Sequence, residues 1–80
     1  MTVHDLKCWT DIFQDVYLGV KSFEVRVNDR GYQVGDTLHL REYNPTTNTY
    51  SGRWVSRRVT YILHGGKFGI PDNLVIMAIR

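Results

Sequence analysis

Apolar residues recur with two different periods along this chain, and the period changes close to residue 20. In the segment WTDIFQDVYLG the apolar positions have helical spacing and form one stripe, made up of Ile12, Phe13, Val16, Tyr17 and Val20. Thr10 is expected to be the N-cap of this helix, because its hydroxyl can accept a hydrogen bond from a free backbone N–H group. Gly19 suits the left-handed conformation that often follows a helix. The segment therefore predicts one helix of about two to three turns.

From Ser22 onward apolar and polar residues alternate, which is the period of a β-strand. Four strand-like segments follow the helix, and one short strand precedes it. In chain order the predicted strands are TVHDLKC, SFEVRVN, TLHLREY, RWVSRRVTYIL and LVIMAI. The polar segment NPTTNTYSG and the glycine-rich segment HGGKFGIPDN are predicted to be loops.

The last two strands indicate how the sheet is arranged. RWVSRRVTYIL has no cleanly apolar face, so a β-bulge is expected within it. LVIMAI is apolar on both faces and is expected to be a central strand covered on both sides. Five strands and one main helix predict a single domain, residues 1–80, that is mainly β with α (α+β). Because small antiparallel sheets remove exposed edges by curling, the expected architecture is a small mixed β-barrel.

The net charge of +2 is too small to indicate a nucleic-acid partner, but the charges are unevenly distributed. Residues 1–40 contain four basic and six acidic side chains, whereas residues 41–80 contain six basic and two acidic ones. A surface able to attract phosphate is predicted in the second half, consisting of Arg53, Arg57, Arg58 and Lys67. Trp54 stands among these arginines and is the aromatic residue expected to stack on a base. A solvated sheet face explains the same basic residues equally well.

Composition also bears on location and on metal sites. No apolar segment reaches the length of a membrane span, and no secretory leader is recognisable, so neither a membrane location nor export is expected. The single cysteine, Cys8, cannot form an intrachain disulfide, which favours a reducing, cytoplasmic location. His4, His39, His64 and Cys8 lack the spacing of metal ligands, so neither a metal nor another cofactor is expected.

The densest polar chemistry lies in GVKSFEVRVNDR, residues 19–30. Strand alternation places Glu24, Arg26 and Asn28 on one face, with Glu24 and Arg26 about 7 Å apart. Lys21 precedes the strand and can reach the same face. Donors from Lys21 and Arg26 beside the Glu24 carboxylate match a nucleobase edge or a phosphate. The alternative is a solvated strand face with a Glu–Arg pair that contributes about 0–1 kcal/mol.

The same stretch resembles a known family. Residues 19–26 fit the pattern G-x-K-x-x-E-x-R, which resembles the signature of ASCH (activating signal cointegrator homology) domains in the PUA-like superfamily. Around the signature, the resemblance extends over nearly the whole chain through the segments HDLK, NDR, YQVGDTLHLREY, YSG and VTYIL. The chain looks like a short bacterial and phage branch of that family.

The resemblance implies a β-barrel with a cleft beside the signature that binds RNA or a nucleotide. Lys21, Glu24 and Arg26 would line this cleft. The other residues that the resemblance implies, at the rim, in the adjoining turn or in the first strand, are Asn28, Asp29, Arg30, His4 and Lys7.

Two other functions stay open at this point. One related branch hydrolyses the amide of N4-acetylcytidine with a lysine of the signature, a threonine nucleophile and a later glutamate. This chain keeps the lysine as Lys21, but Glu24 stands in place of the threonine and no glutamate follows Glu42. Lys21 and Glu24 are the catalytic candidates if the protein is an enzyme, although these departures favour a non-catalytic module. The other alternative is a protein-interaction module in which the signature row only stabilises the barrel.

Overall fold

Residues 1–80 are described by a computed structural model, in which five strands and one helix follow one another along the chain. Their bounds are β1 (Val3–Trp9), α1 (Thr10–Tyr17), β2 (Phe23–Val27), β3 (Thr37–Asn44), β4 (Thr49–His64) and β5 (Leu74–Ile79). The strands form one mixed sheet in the order β1-β3-β4-β5-β2, with β1 parallel to β3 and the other neighbours antiparallel. The prediction of a mainly β domain with five strands and one helix after the first strand is confirmed.

The core lies between one face of the sheet and α1. It consists of Leu6, Cys8, Phe13, Val16, Tyr32, Leu38, Leu40, Val55, Val59, Val75, Met77 and Ile79. From α1 only Phe13 and Val16 are buried, so the apolar stripe of the helix is narrower than predicted. The helix is neither long nor apolar enough to cross a membrane. It packs over β1 and β3 and leaves the far side of the sheet uncovered.

Thr10 does not act as the N-cap of α1, contrary to the prediction. Trp9 occupies the cap position without a side-chain hydrogen bond. The Thr10 hydroxyl instead donates to Oε2 of the buried Glu42 at 2.8 Å. Ser51 donates to Oε1 of the same carboxylate at 2.6 Å, and these hydrogen bonds, with that from Ser51 the stronger influence, lower the pKa of Glu42. A buried carboxylate needs such donors more than a helix end does, since the helix end is open to water.

β4 is longer than predicted, because residues 49–52 of the expected loop NPTTNTYSG belong to it. The hairpin between β3 and β4 is therefore short, and Asn48 adopts a positive φ of 55° within it. The expected bulge is confirmed by a register shift between Val59 and Tyr61. Beyond the shift, Ile62 and not Tyr61 packs against the core.

β2 exposes its apolar side chains and turns its polar ones inward. Phe23, Val25 and Val27 are 46%, 49% and 50% exposed, whereas Glu24 is only 3% exposed and Arg26 is half-buried. Burial normally selects the apolar face of an antiparallel strand. Glu24 and Arg26 are thus not on a solvated strand face, which was the alternative that the sequence left open.

β5 is an interior strand, as predicted, because it pairs with both β4 and β2. One of its faces carries the buried residues Val75, Met77 and Ile79. Its other face, with Leu74, Ile76 and Ala78, is only half-buried. The prediction that both faces are covered is wrong, since α1 lies on the opposite side of the sheet and over different strands.

The two edge strands, β1 and β2, approach each other without pairing; we call the gap between them the seam. Arg26 of β2 donates from Nη2 to the backbone oxygen of Lys7 in β1 at 2.7 Å. Arg30 donates from Nη1 to the backbone oxygen of Asp5 at 3.3 Å. The sheet therefore curves far enough to bring its edges together, but side chains and not a backbone ladder bridge the seam.

Asp36 is a buried acceptor that fixes the start of β1 and the loop before β3. Its Oδ2 accepts hydrogen bonds from Nε2 of His4 at 2.8 Å and from the backbone N–H of Gln33 at 3.0 Å. Its Oδ1 accepts one from the backbone N–H of Thr2 at 3.1 Å. The hydrogen bonds from His4 and then Thr2 hold the pKa of Asp36 below its ordinary value. His4 is thereby committed to the core side of β1, where its ring lies 4.7 Å from that of Tyr32.

We expect Asp36→Asn to lower the free energy of unfolding at neutral pH and to weaken its dependence on acid pH. The folded-state pKa of Asp36 is depressed, so its stabilising contribution is complete above the unfolded-state pKa of about 3.9. That contribution is lost as the pH falls through the lower folded-state pKa. Urea unfolding of both proteins from neutral to acid pH measures this, and the stability difference should shrink below about pH 4. A difference that is constant over the whole range would contradict the assignment.

Candidate functional site

A groove runs along the seam; we call it the β1–β2 groove. Three adjoining cavities of about 380, 400 and 210 Å³ compose it, and Arg26 lines all three. The first cavity is lined by Lys7, Trp9, Ile12, Lys21, Glu24, Val25 and Arg26. The other two continue past Arg26 to Arg30, with further walls from Asp5, Leu6, Tyr50, Val27, Asp29 and Tyr32. The first cavity is by itself already large enough for a small ligand.

An ion triad centred on a buried carboxylate lies in the first cavity. Lys21 donates from Nζ to Oε1 of Glu24 at 3.0 Å, and Arg26 donates from Nε to Oε2 at 3.0 Å. Glu24 is 3% exposed, and a carboxylate at that depth stays charged only when it is paired and hydrogen-bonded. Two cations on one anion leave the triad with a net positive charge.

Lys21 and Arg26 keep free donors after Glu24 is satisfied. The Lys21 ammonium also donates to the backbone oxygen of Phe23 at 2.7 Å, which uses two of its three protons. Arg26 uses Nε and Nη2, while its Nη1 makes no hydrogen bond. Lys7 adds a third cation to the wall, with Nζ 4.5 Å from the centre of the Tyr43 ring. Three cations and one carboxylate line this cavity, which suits an anionic ligand.

Trp9 provides the aromatic wall of the first cavity. It is the last residue of β1, is 55% exposed, and stands two residues after Lys7 on the same side of the strand. The sequence analysis favoured Trp54 for stacking because of its basic neighbours. The i, i+2 spacing from Lys7 is the signal that points to Trp9. Ile12, in the first turn of α1, completes this wall and carried no functional signal in the sequence.

The residues predicted at the rim separate into two groups. Arg30 lines the second and third cavities, and Asp29 lines the third. Asn28 lines none of them, and its backbone N–H donates to the backbone oxygen of Asn73 at 2.8 Å. From β1, Lys7 lies in the groove and His4 does not, because alternation sends them to opposite sides of the strand.

The basic residues of the second half do not form one surface. Arg57 donates to the backbone oxygens of Val16 and Tyr17 at 3.3 and 3.0 Å, where it stabilises the carboxyl end of α1. Arg53 donates to Oε1 of Gln14 on the same helix at 2.9 Å. Arg58 is exposed on the opposite face of β4, and Lys67 lies in the loop before β5. Trp54 packs against His39, with 4.8 Å between ring centres, and lines no part of the groove.

The groove holds no activated nucleophile. None of its lining residues is a serine or a threonine. Cys8 lies nearby, but burial raises the pKa of its thiol to about 11, so it remains protonated at neutral pH. Both oxygens of Glu24 already accept hydrogen bonds from cations. Nor do three of the His, Cys, Asp and Glu side chains come together as they would around a metal ion.

Comparison with known proteins places the chain in a family. A family model described as "Domain of unknown function (DUF3850)" matches residues 3–79. The "Uncharacterized 12.9 kDa protein in GpA 3'region" of Escherichia phage P2 is 38% identical over 58 residues, which are 72% of this chain and 51% of the phage protein. The chain thus spans about half the length of that relative. Because the family model covers nearly the whole chain, this protein belongs to the DUF3850 family.

Proposed function

We propose that this domain binds RNA or a nucleotide in the β1–β2 groove. The observation that carries the proposal is the combination of free cationic donors on Lys7, Lys21 and Arg26 with the exposed indole of Trp9 in one cavity. Phosphate requires charged donors, and a base requires a flat apolar surface. Nucleotides carry both groups a few ångströms apart, so one such ligand can contact the cationic side chains and the indole together.

The roles of the residues follow from their remaining hydrogen-bonding capacity. The Nη1 group of Arg26, the free proton of the Lys21 ammonium and the Lys7 ammonium contact the phosphate. Glu24 is a positioning residue, because it holds Lys21 and Arg26 at 3.0 Å on either side of its carboxylate. The base stacks on Trp9. Arg30 lies further along the groove, where it meets the next phosphate of a longer strand.

This proposal extends to fold and location. We propose that the curved sheet is a PUA-like barrel of the ASCH kind that is open at the seam, and that the groove corresponds to the cleft beside the ASCH signature. Two arginine side chains that span the edges of the sheet support this interpretation. A cytoplasmic location accompanies it, because RNA and nucleotides are present in that compartment.

An amidohydrolase acting on N4-acetylcytidine has less support. Glu24 stands where that branch has its nucleophile, and it is engaged by Lys21 and Arg26. The groove supplies no hydroxyl group in its place. Incubation of the protein with N4-acetylcytidine, followed by chromatography, should therefore yield no cytidine.

Trp9→Ala should weaken the binding of a short single-stranded RNA by about 1–3 kcal/mol, because one stacked base loses its platform. The matched control is Trp54→Ala, since both tryptophans are 55% exposed and only Trp9 lines the groove. Fluorescence anisotropy with a labelled oligonucleotide measures both affinities. Equal losses for the two variants would assign the binding to a general aromatic surface and not to the groove.

Lys7→Ala should weaken RNA binding and reduce the slope of log affinity against log salt by about 0.7, the value for one phosphate contact on a single strand. Lys67→Ala is the control, because Lys67 is also exposed but lies in the loop before β5. Lys7 makes no hydrogen bond with its ammonium, so its removal leaves the ion triad intact. If the wild type does not bind RNA, or if Lys7→Ala leaves its affinity unchanged, the groove does not bind nucleic acid. A protein-interaction role is then favoured.

A further inference from the structure

The outer face of β2, β5 and β4 is apolar and uncovered; we call it the outer apolar face. Cross-strand register arranges it in three rows, which are Phe23–Ala78–Tyr61, Val25–Ile76–Leu63 and Val27–Leu74–Gly65. None of these nine residues carries a charge. Phe23, Val25, Val27 and Tyr61 are between 46% and 63% exposed. Edge and surface strands normally carry charged residues that prevent association, and this face has none.

The size of the outer apolar face indicates a contact with another protein surface. The two aromatic side chains, Phe23 and Tyr61, are 46% and 63% exposed and together present roughly 200 Å². The aliphatic residues bring the face to on the order of 500 Å² of apolar surface. Patches of about 300–600 Å² are the largest found on ordinary monomers and often have a function. With a polar rim, an area of this size approaches the roughly 800 Å² per partner of a standard interface.

We propose that a second copy of this chain covers the outer apolar face, in a two-fold symmetric dimer. The face is neutral, so two copies bring no like charges together there. Its side chains are also self-complementary in size. The axis runs parallel to the sheet, perpendicular to its strands, and passes above Ile76. Rotation about it places each strand over the same strand of the partner and the first row over the third. Ala78 then faces Leu74 of the other copy.

The other positions fit the same axis. Tyr61, a large side chain, faces Gly65, which has none. Phe23 faces Val27, and Ile76 faces its own symmetry mate. Large side chains of one copy thereby face small ones of the other and fill the space between the two sheets, as in the core of a packed pair of sheets. An axis parallel to the strands would instead place Ala78 over Ala78 and leave a void in the first row.

The β1–β2 groove borders this contact only at Val25 and at Lys21, whose Nζ lies 4.7 Å from the centre of the Phe23 ring. Lys7 and Arg26 point away from the outer apolar face, because Lys7 is on β1 and Arg26 is on the other side of β2. The dimer therefore carries two separate grooves. This inference is independent of the proposed ligand.

Sedimentation equilibrium of the full chain tests the dimer. We expect the wild type to convert from monomer to dimer with a Kd on the order of micromolar, as apolar interfaces of this size allow. Tyr61→Lys, at a position that is 63% exposed, should raise Kd at least about 100-fold, since each copy then inserts a charge opposite Gly65. Val34→Lys is the control, because Val34 is 59% exposed and lies off this face; it should leave Kd unchanged. Amide NMR spectra of the variants confirm that each is folded.

A volume exchange tests the position of the axis. Ala78→Leu alone should weaken the dimer at least about tenfold, because two leucines then compete for one space. The double variant Ala78→Leu/Leu74→Ala should restore the wild-type Kd, since the pair is exchanged and its volume conserved. Failure of the double variant to recover would overturn the proposed axis. A wild type that stays monomeric up to about 500 µM would overturn the dimer and leave the face to a different protein.

Discussion

The buried carboxylate of Glu24 is the constraint on which the β2 side of this molecule depends. A charge at that depth costs several kcal/mol unless cations and hydrogen bonds compensate it. Lys21 and Arg26 provide both, each at 3.0 Å. Their positions in the chain require the polar row of β2 to face inward, and alternation then sends Phe23, Val25 and Val27 outward. The chemistry of the groove and the apolar surface behind it therefore have one origin.

Much of the fold could be predicted from local patterns. The period of apolar residues located the helix and five strands, and the mixed faces of residues 53–63 revealed the bulge at Val59–Tyr61. Strand order was not predictable in this way, because the parallel pairing of β1 with β3 joins segments about thirty residues apart. The cover of β5 was misjudged for a related reason. Apolar residues on both faces show that a strand can be buried, but whether an element lies over each face depends on where α1 packs.

In the candidate site, too, local patterns predict some residues and miss those that depend on the overall fold. Lys21, Glu24 and Arg26 lie within six residues of one chain segment: alternation places Glu24 and Arg26 on one face, and Lys21 reaches the same carboxylate from just before the strand. Lys7 and Trp9 join them from β1 through the curvature of the whole sheet, which no local pattern encodes. Arg53 and Arg57 are close to Arg58 in sequence, yet their guanidinium groups are engaged by α1 on the other side of the strand. A run of basic residues in a strand is therefore a poor guide to a basic surface.

The seam between β1 and β2 also determines how the groove can change shape. A backbone ladder would have to break several cooperative hydrogen bonds to admit a ligand, whereas here only Arg26 and Arg30 hold carbonyl groups across the gap. Rotation about side-chain bonds takes nanoseconds and leaves the core undisturbed. The hydrogen bonds that bridge the groove thus depend on two arginine side chains, and an anion that binds their guanidinium groups competes with the backbone oxygens of Lys7 and Asp5 for the same donors.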